Sequence, residues 1–146
     1  MRALIQRVSR ASVSVDDSIV AQIDRGLLIL VGFTEGDTEE KIRWIVNKIA
    51  KLRIFPDQDD KMNLSVVDVD GELLAVSQFT LYGDLNDGNR PSFTKAMAPA
   101  LAEPMFKKFL DLLAIVTSKK IESGVFGAHM EVNLVNDGPV TIMLER

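Results

Sequence analysis

The chain has 146 residues, is 47% hydrophobic and carries a net charge of −4. That length and apolar content suffice for one buried core, so residues 1–146 are expected to form a single domain. The absence of cysteine excludes disulfides, thiolate metal sites and a cysteine nucleophile, and the acidic balance argues against a general nucleic-acid binder, which carries a basic surplus.

The first third reads as strands. Ala3–Val8 is an opening strand, and Ser12-Val13-Ser14-Val15 alternates with period two, as a half-buried strand does. Asp16-Asp17-Ser18 has turn chemistry and Ile19–Ile23 returns, which predicts a hairpin. Gly26 interrupts the chain before Leu27–Val31, a continuous apolar run with the length of a buried strand. That run falls short of the roughly 20 residues a membrane span needs, and Met1–Arg7 is too short an apolar stretch for a signal-peptide core. The expectation is a soluble, cytoplasmic protein with no membrane partner.

A helix follows. Asp37 and Glu40 have capping-box spacing, and Ile42, Ile45, Val46 and Ile49 make one apolar stripe. Leu52–Phe55 enters another strand that Pro56-Asp57 ends. Leu73–Val76 is a buried strand leading into Ser77-Gln78-Phe79-Thr80-Leu81, and Gly83–Pro91 is a polar loop. A second helix is expected with Pro104 in its first turn and Phe106, Phe109, Leu110 and Leu113 on its buried face. Two final strands, about Met130–Val135 and Val140–Leu144, flank Asn136-Asp137-Gly138-Pro139, a turn signal. The order predicts an α/β domain with helices covering one sheet.

Few familiar chemistries fit. The only histidine, His129, precedes a strand, where a lone histidine is more often a surface or hydrogen-bonding residue than a base. There is no zinc-hydrolase pattern, no phosphate loop and no dinucleotide fingerprint. Asp57, Asp59 and Asp60 do not have calcium-loop spacing and read as a solvated loop. No metal or cofactor is expected. Two segments stand out. Ser77-Gln78-Phe79-Thr80 sets polar side chains at a strand end; Ser77 and Thr80 either bond their own backbone there or, with nearby N–H groups, form an oxyanion hole for a carbonyl substrate. Asn136-Asp137-Gly138-Pro139-Val140-Thr141 reads by composition as a plain hairpin turn. Its Gly-Pro pair would also let another molecule approach the backbone closely, and a cis bond would turn two neighbouring carbonyls the same way.

Taken together, these segments resemble the D-aminoacyl-tRNA deacylase family, whose signatures are a Ser-Gln-Phe-Thr stretch and an Asn-x-Gly-Pro-x-Thr stretch. Both are complete here, at Ser77–Thr80 and Asn136–Thr141. Leu4–Val8 with Ala11-Ser12-Val13, Lys61–Ser65, Arg90–Phe93 and Phe126-Gly127-Ala128 are similar to further family stretches, in the same order along almost the whole chain. His129 stands where many relatives have an acidic residue, and the loop Tyr82–Gly88 is less typical.

The resemblance implies a three-layer α/β/β, barrel-like domain with two main helices. It implies a homodimer with active sites at the interface, which hydrolyses D-aminoacyl-tRNA and leaves L-aminoacyl-tRNA intact. Gly138-Pro139 would be cis and enter the partner subunit's pocket, with carbonyls facing the chiral centre of the substrate. Arg7 would hold that motif, Asn136 belongs to it, and Met130 and Phe126 would line the pocket. Backbone groups near Phe79 would hold the ester while the terminal ribose 2′-hydroxyl helps water attack, and Ser77, Gln78 and Thr80 would shape the pocket and bond the adenosine. Thr80 as nucleophile is the alternative, although no activating partner is evident. A site that excludes L side chains sterically has no such handle on glycine, so glycyl-tRNA is expected to be cleaved too. The partner is the acceptor end of aminoacyl-tRNA and no DNA is expected. Arg90, Lys95, Lys107, Lys108, Lys119 and Lys120 are candidates for a local basic patch giving weak, salt-sensitive binding, although each lysine singly reads as a solvated face. An editing hydrolase for a wrong L-amino acid and a non-enzymatic dimeric RNA-binding module are the competing readings.

Overall fold

A computed structural model describes residues 1–146. The first strand, β1 (Arg2–Val15), is one 14-residue element and organises the molecule. Its first half pairs antiparallel with β3 (Gly26–Gly32), from Arg2 opposite Gly32 to Val8 opposite Gly26. Its second half pairs with β2 (Ser18–Ile23) through a tight turn in which Asp16 and Asp17 both have positive φ, a conformation that short acidic side chains tolerate. The sheet continues in parallel from β3 to β6 (Glu72–Ser77) and on to β7 (Ile121–Ser123). A small ribbon of β4 (Phe55–Pro56) and β5 (Met62–Leu64) stands apart. Helices α1 (Glu39–Lys51) and α2 (Pro99–Thr117) pack on each other.

The burial pattern explains the layers. Along β3, Leu27, Ile29 and Val31 join Ile42, Ile45, Ile49, Phe106 and Phe109 in a core between sheet and helices. Leu28 faces the other way and joins Val8, Ala11, Val13, Ala21, Ile23, Leu74 and Val76 in a second core. A strand buried on both faces must be apolar at every position, which is why Leu27–Val31 reads as an unbroken run. The second core closes because the far half of β1, with β2, packs across β6 and β7. The result is a mixed α/β fold of helices, sheet and folded-over sheet that is nearly closed, as expected. Gly26 is required at the start of β3: a Cβ there would lie 1.9 Å from the Glu72 carbonyl oxygen.

Three local expectations are corrected. The last strand, β8 (Glu131–Glu145), is a single element, not two strands around a hairpin turn. Both of its halves pair with β1, from Ser14 opposite Glu131 to Arg2 opposite Glu145, so the Asn-Asp-Gly-Pro segment bulges out of one long ladder instead of reversing it. Helix α2 begins at Pro99, five residues before Pro104, which lies inside it. Proline removes one bond to the carbonyl four residues back; Ala100 and Pro104 are both exposed, so water can take that place. Helix α1 is capped by Thr38, whose hydroxyl accepts from Lys41 N–H at 3.5 Å, not by Asp37.

Asp37 has a different task. Its carboxylate accepts from the Met1 ammonium at 2.6 Å and from the Thr34 N–H at 2.9 Å. Both members of the ion pair are fully buried, and the Met1 ammonium also donates to the Arg146 carbonyl at 2.7 Å. This ties the start of β1, the end of β8 and the entry to α1 together. Next to it, Tyr82 lies under the Arg2 guanidinium, 4.7 Å from its ring centre; burial, reinforced by Asp37, pushes its hydroxyl up to about 12. No helix is long and apolar enough to cross a membrane. Replacing Asp37 with alanine strands a buried ammonium, and a loss of about 3–5 kcal/mol of unfolding free energy is expected, read as a shift of the urea midpoint at constant slope.

Candidate active site

The cavity that matters lies where β3 and β6 end. It has a volume of about 500 Å³ and is lined mainly by apolar residues. Val31, Gly32 and Phe33 supply one wall, Ser77, Gln78 and Phe79 another, and Phe126–Ala128 with Met130 a third. The fourth wall, Ala96–Pro99 with Ala102, was not foreseen, because the helix was expected to start after it. That segment is held by Met97 N–H on the Phe33 carbonyl at 2.9 Å and by the Thr34 hydroxyl on the Lys95 carbonyl at 2.6 Å. A pocket at the carboxyl ends of parallel strands is where open α/β sheets place ligands.

The Ser77–Thr80 segment forms its polar rim. Gln78 N–H donates to the Val31 carbonyl at 2.7 Å and prolongs the β3–β6 ladder by one bond. The chain then leaves the sheet as a 3-10 turn, Phe79–Tyr82. The first bond of that turn runs from Leu81 N–H to the Gln78 carbonyl, so the N–H groups of Phe79 and Thr80 precede it and have no partner within the turn. The Gln78 side-chain amide donates to the Thr80 hydroxyl. Phe79 is 55% exposed and meets Phe93 edge to face at 5.0 Å, a lip of two aromatic rings at the pocket. Gly124 leaves room for the pocket wall: a Cβ there would lie 2.6 Å from the Met130 sulfur. Of the residues expected in this group, Ser77, Gln78, Phe79, Phe126 and Met130 line the cavity; Thr80 is exposed beside them and does not.

The second group assembles elsewhere. In the β1–β8 ladder Gln6 faces Thr141 and Val8 faces Asn136, so Arg7 alone stands opposite Asp137–Val140. Arg7 is 8% exposed and bridges two elements: Nε donates to the Asp137 carbonyl at 2.9 Å and Nη1 to the Ile54 carbonyl at 2.5 Å. Asn136 closes the bulge from inside, accepting from Val140 N–H and donating to the Thr141 hydroxyl, both at 2.8 Å. Gly138 and Pro139 are exposed at its tip and joined by a cis bond. Gly138 has φ +134, and a Cβ there would meet Val140 at 2.7 Å and the Arg7 guanidinium at 3.0 Å, so only glycine fits. None of Arg7, Asn136, Gly138 and Pro139 lines the cavity.

A family profile described as D-Tyr-tRNA(Tyr) deacylase matches residues 4–145. The chain belongs to the D-aminoacyl-tRNA deacylase family. It is 57% identical over 145 residues to a D-aminoacyl-tRNA deacylase of Halothermothrix orenii, covering 99% of this chain and 97% of that protein. A D-aminoacyl-tRNA deacylase of an Exiguobacterium species is 53% identical over 146 residues, covering 100% and 99%. Among solved structures, a c-Myc DNA unwinding element binding protein superimposes with a TM-score of 0.94 at 42% identity, over 100% of this chain and 99% of that one. A probable eukaryotic D-amino acid tRNA deacylase shares the fold, with a TM-score of 0.84 at 18% identity over 98% and 97%. The chain is an enzyme of the hydrolase class.

Around this deacylase's pocket the other expected residues are placed as follows. His129 is exposed and outside the cavity lining. Among the six basic candidates, Lys95 pairs with Asp84, Lys108 with Glu39, Lys119 with Asp70 and Lys120 with Glu122. Arg90 and Lys107 make no ion pair. Asp57 organises its own turn, accepting from Asp59 and Lys61 N–H and the Asn63 amide, and these bonds hold its carboxyl below the usual range. Replacing Arg7 with methionine keeps most of the side-chain volume but leaves the Ile54 and Asp137 carbonyls without their charged donor. A loss of about 2–4 kcal/mol is expected, with faster amide exchange concentrated at residues 136–141.

Proposed function

We propose that this deacylase hydrolyses the ester of D-aminoacyl-tRNA to free D-amino acid and tRNA, and spares L-aminoacyl-tRNA. The observation that carries the reading is the pairing of an apolar pocket with main-chain donors at its rim and no strong base inside it. An aminoacyl ester is already reactive, so positioning and stabilisation of the developing oxyanion supply the catalysis. The N–H groups of Phe79 and Thr80 take the carbonyl oxygen. Water adds to the carbonyl carbon with the help of the terminal ribose 2′-hydroxyl, and the bond to the ribose oxygen breaks, returning a proton to that oxygen. Ser77, Gln78 and Thr80 shape the rim and bond the adenosine. Thr80 is no nucleophile on this reading: its hydroxyl is held by an amide, which cannot take its proton.

The enzyme works as a homodimer. Two observations support this. Strand β8 pairs only with β1, which leaves one edge of a 15-residue strand open, with Val135 and Met143 more than two-fifths exposed. The Gly138-Pro139 tip is also exposed and takes no part in lining its own chain's cavity. In the dimer it enters the partner's pocket, and its carbonyls face the chiral centre there. Because the contact is made by main chain braced by Arg7 and Asn136, it does not yield to an L side chain, whereas glycine passes the same test. The partner is the acceptor end of aminoacyl-tRNA, and the cytoplasm is where that substrate is found.

The decisive experiment is deacylation of D-tyrosyl-tRNA, L-tyrosyl-tRNA and glycyl-tRNA side by side. Loss of the D-ester and partial loss of the glycyl ester are expected, with the L-ester stable. Gly138→Ala is expected to slow the D-reaction by about a hundredfold, the cost of a small misplacement of a positioning group. Thr80→Ala is expected to stay within about tenfold of the parent, where loss of a nucleophile would cost several orders of magnitude. If the D- and L-esters decay equally with and without protein, the reading fails.

A further inference from the structure

The candidate lysines of the sequence are largely neutralised by carboxylates, yet one concave surface is not. Arg43, Lys48, Lys51 and Arg53 line a hollow of about 510 Å³ along the outer face and C-terminal end of α1, with Trp44 at its centre. No carboxylate lines it, in a chain whose net charge is −4. Lys48 and Lys51 make no ion pair and are exposed; Arg53 spends its Nε on the Asn63 carbonyl at 2.8 Å. Arg43 alone is tied, to Glu39 beyond the hollow. Lys48 and Arg146 both lie over the indole ring, at 5.3 and 5.2 Å from its centre. Two lysines in the last turn of a helix complement its dipole. That accounts for Lys48 and Lys51, and Glu39 accounts for Arg43, but neither accounts for Arg53 beyond the helix or for the gathering of all four in one hollow with an indole.

We infer that this hollow binds the sugar–phosphate backbone of the tRNA whose acyl end occupies the active site. Three cations that make no ion pair, Lys48, Lys51 and Arg53, stand with Arg43 and match a row of phosphates, and the half-buried indole carries Lys48 on its face. Its position fits that task. Arg53 directly precedes Ile54, whose carbonyl takes the Arg7 guanidinium that holds the Gly138 bulge. The hollow therefore travels with the bulge and shares no residue with its own chain's pocket. Resting on the cross-subunit reading above, it grips the RNA bound in the partner's pocket.

The test is Lys48→Glu/Lys51→Glu, with Lys48→Arg/Lys51→Arg as the conservative control, assayed on two substrates in a salt series. One is D-tyrosyl-tRNA; the other is 3′-O-(D-tyrosyl)adenosine, which reaches the pocket but has no backbone to grip. The charge reversal is expected to raise KM for the tRNA by about tenfold or more at low salt and to flatten its log–log salt dependence by about one to two. kcat and the hydrolysis of tyrosyl-adenosine should stay at the parent values, and the arginine pair should behave as the parent. An unchanged KM and salt slope for the tRNA overturns the inference, as does an equal loss on both substrates. If the parent protein cleaves neither D-ester, the deacylase reading is what fails; binding of uncharged tRNA across the same salt series then decides the hollow by itself.

Discussion

One ladder constrains the rest of the molecule. Strand β8 follows one edge of β1 from end to end, while the other edge of β1 is shared between β3 and β2. A strand with partners of that length cannot stay flat, because twist accumulates along it. Its far half turns over the central strands and makes the second core. Where the two halves meet, the ladder must absorb extra residues, and it does so opposite a single arginine. Arg7 is buried, so its charge is tolerable only if its donors are filled. The carbonyls of Ile54 and Asp137 accept two of them and the Asp137 carboxylate lies 3.3 Å from Nε, and these contacts fix the bulge to the body of the protein. The exposed tip is therefore held by the core through Arg7 as well as from within by Asn136, which gives main-chain atoms the rigidity of a side chain packed in a protein interior.

Much of this was legible in the residues. The period-two alternation of Ser12–Val15, the unbroken run of Leu27–Val31 and the apolar stripe of α1 each report directly on which faces are covered, and the structure covers those faces. The pocket rim was legible for a different reason: Ser77-Gln78-Phe79-Thr80 breaks an apolar strand with polar residues at the point where the sheet ends. What was not legible depended on long-range partners. Asn136-Asp137-Gly138-Pro139 has the composition of a reversing turn, and nothing local says that both flanking strands pair with the same distant strand. Asp37 looked like a cap because Glu40 follows at the right spacing, but the ammonium of Met1, 36 residues away, competes for it. Pro104 looked like a helix start because proline is usual there, and the exposed turn before it conceals that the helix has already begun. That same error hid the Ala96–Pro99 wall of the pocket.

The charge distribution carries a similar lesson. A net charge of −4 describes the whole surface, and a nucleic acid responds to the surface it meets. Several acidic side chains here are engaged in turns or ion pairs: Asp57 and Asp68 bond their neighbouring backbone, while Glu39, Asp70 and Asp84 hold lysines or arginines, and these partners hold their carboxyls below the usual range. Of the cations that no ion pair holds, Lys48, Lys51 and Arg53 gather at the C-terminal end of α1. Segregation of this kind gives an acidic chain a basic face in one orientation.

Pairing the first strand with the last also sets when the molecule can be completed. During synthesis β1, β2 and β3 emerge early and can form their hairpin and ladder, but the other edge of β1 has no partner until β8 has left the ribosome. Contacts so distant in sequence are slow to form, since the chain entropy of closing the loop is lost before the contact is gained. Until then Val8, Ala11 and Val13 lack the cover that Val132 and Leu134 bring to the second core, and Arg7 has no bulge to hold. The nascent chain therefore carries an unpaired edge of β1 until β8 emerges, and the second core and the Arg7-held bulge are completed together when that strand arrives.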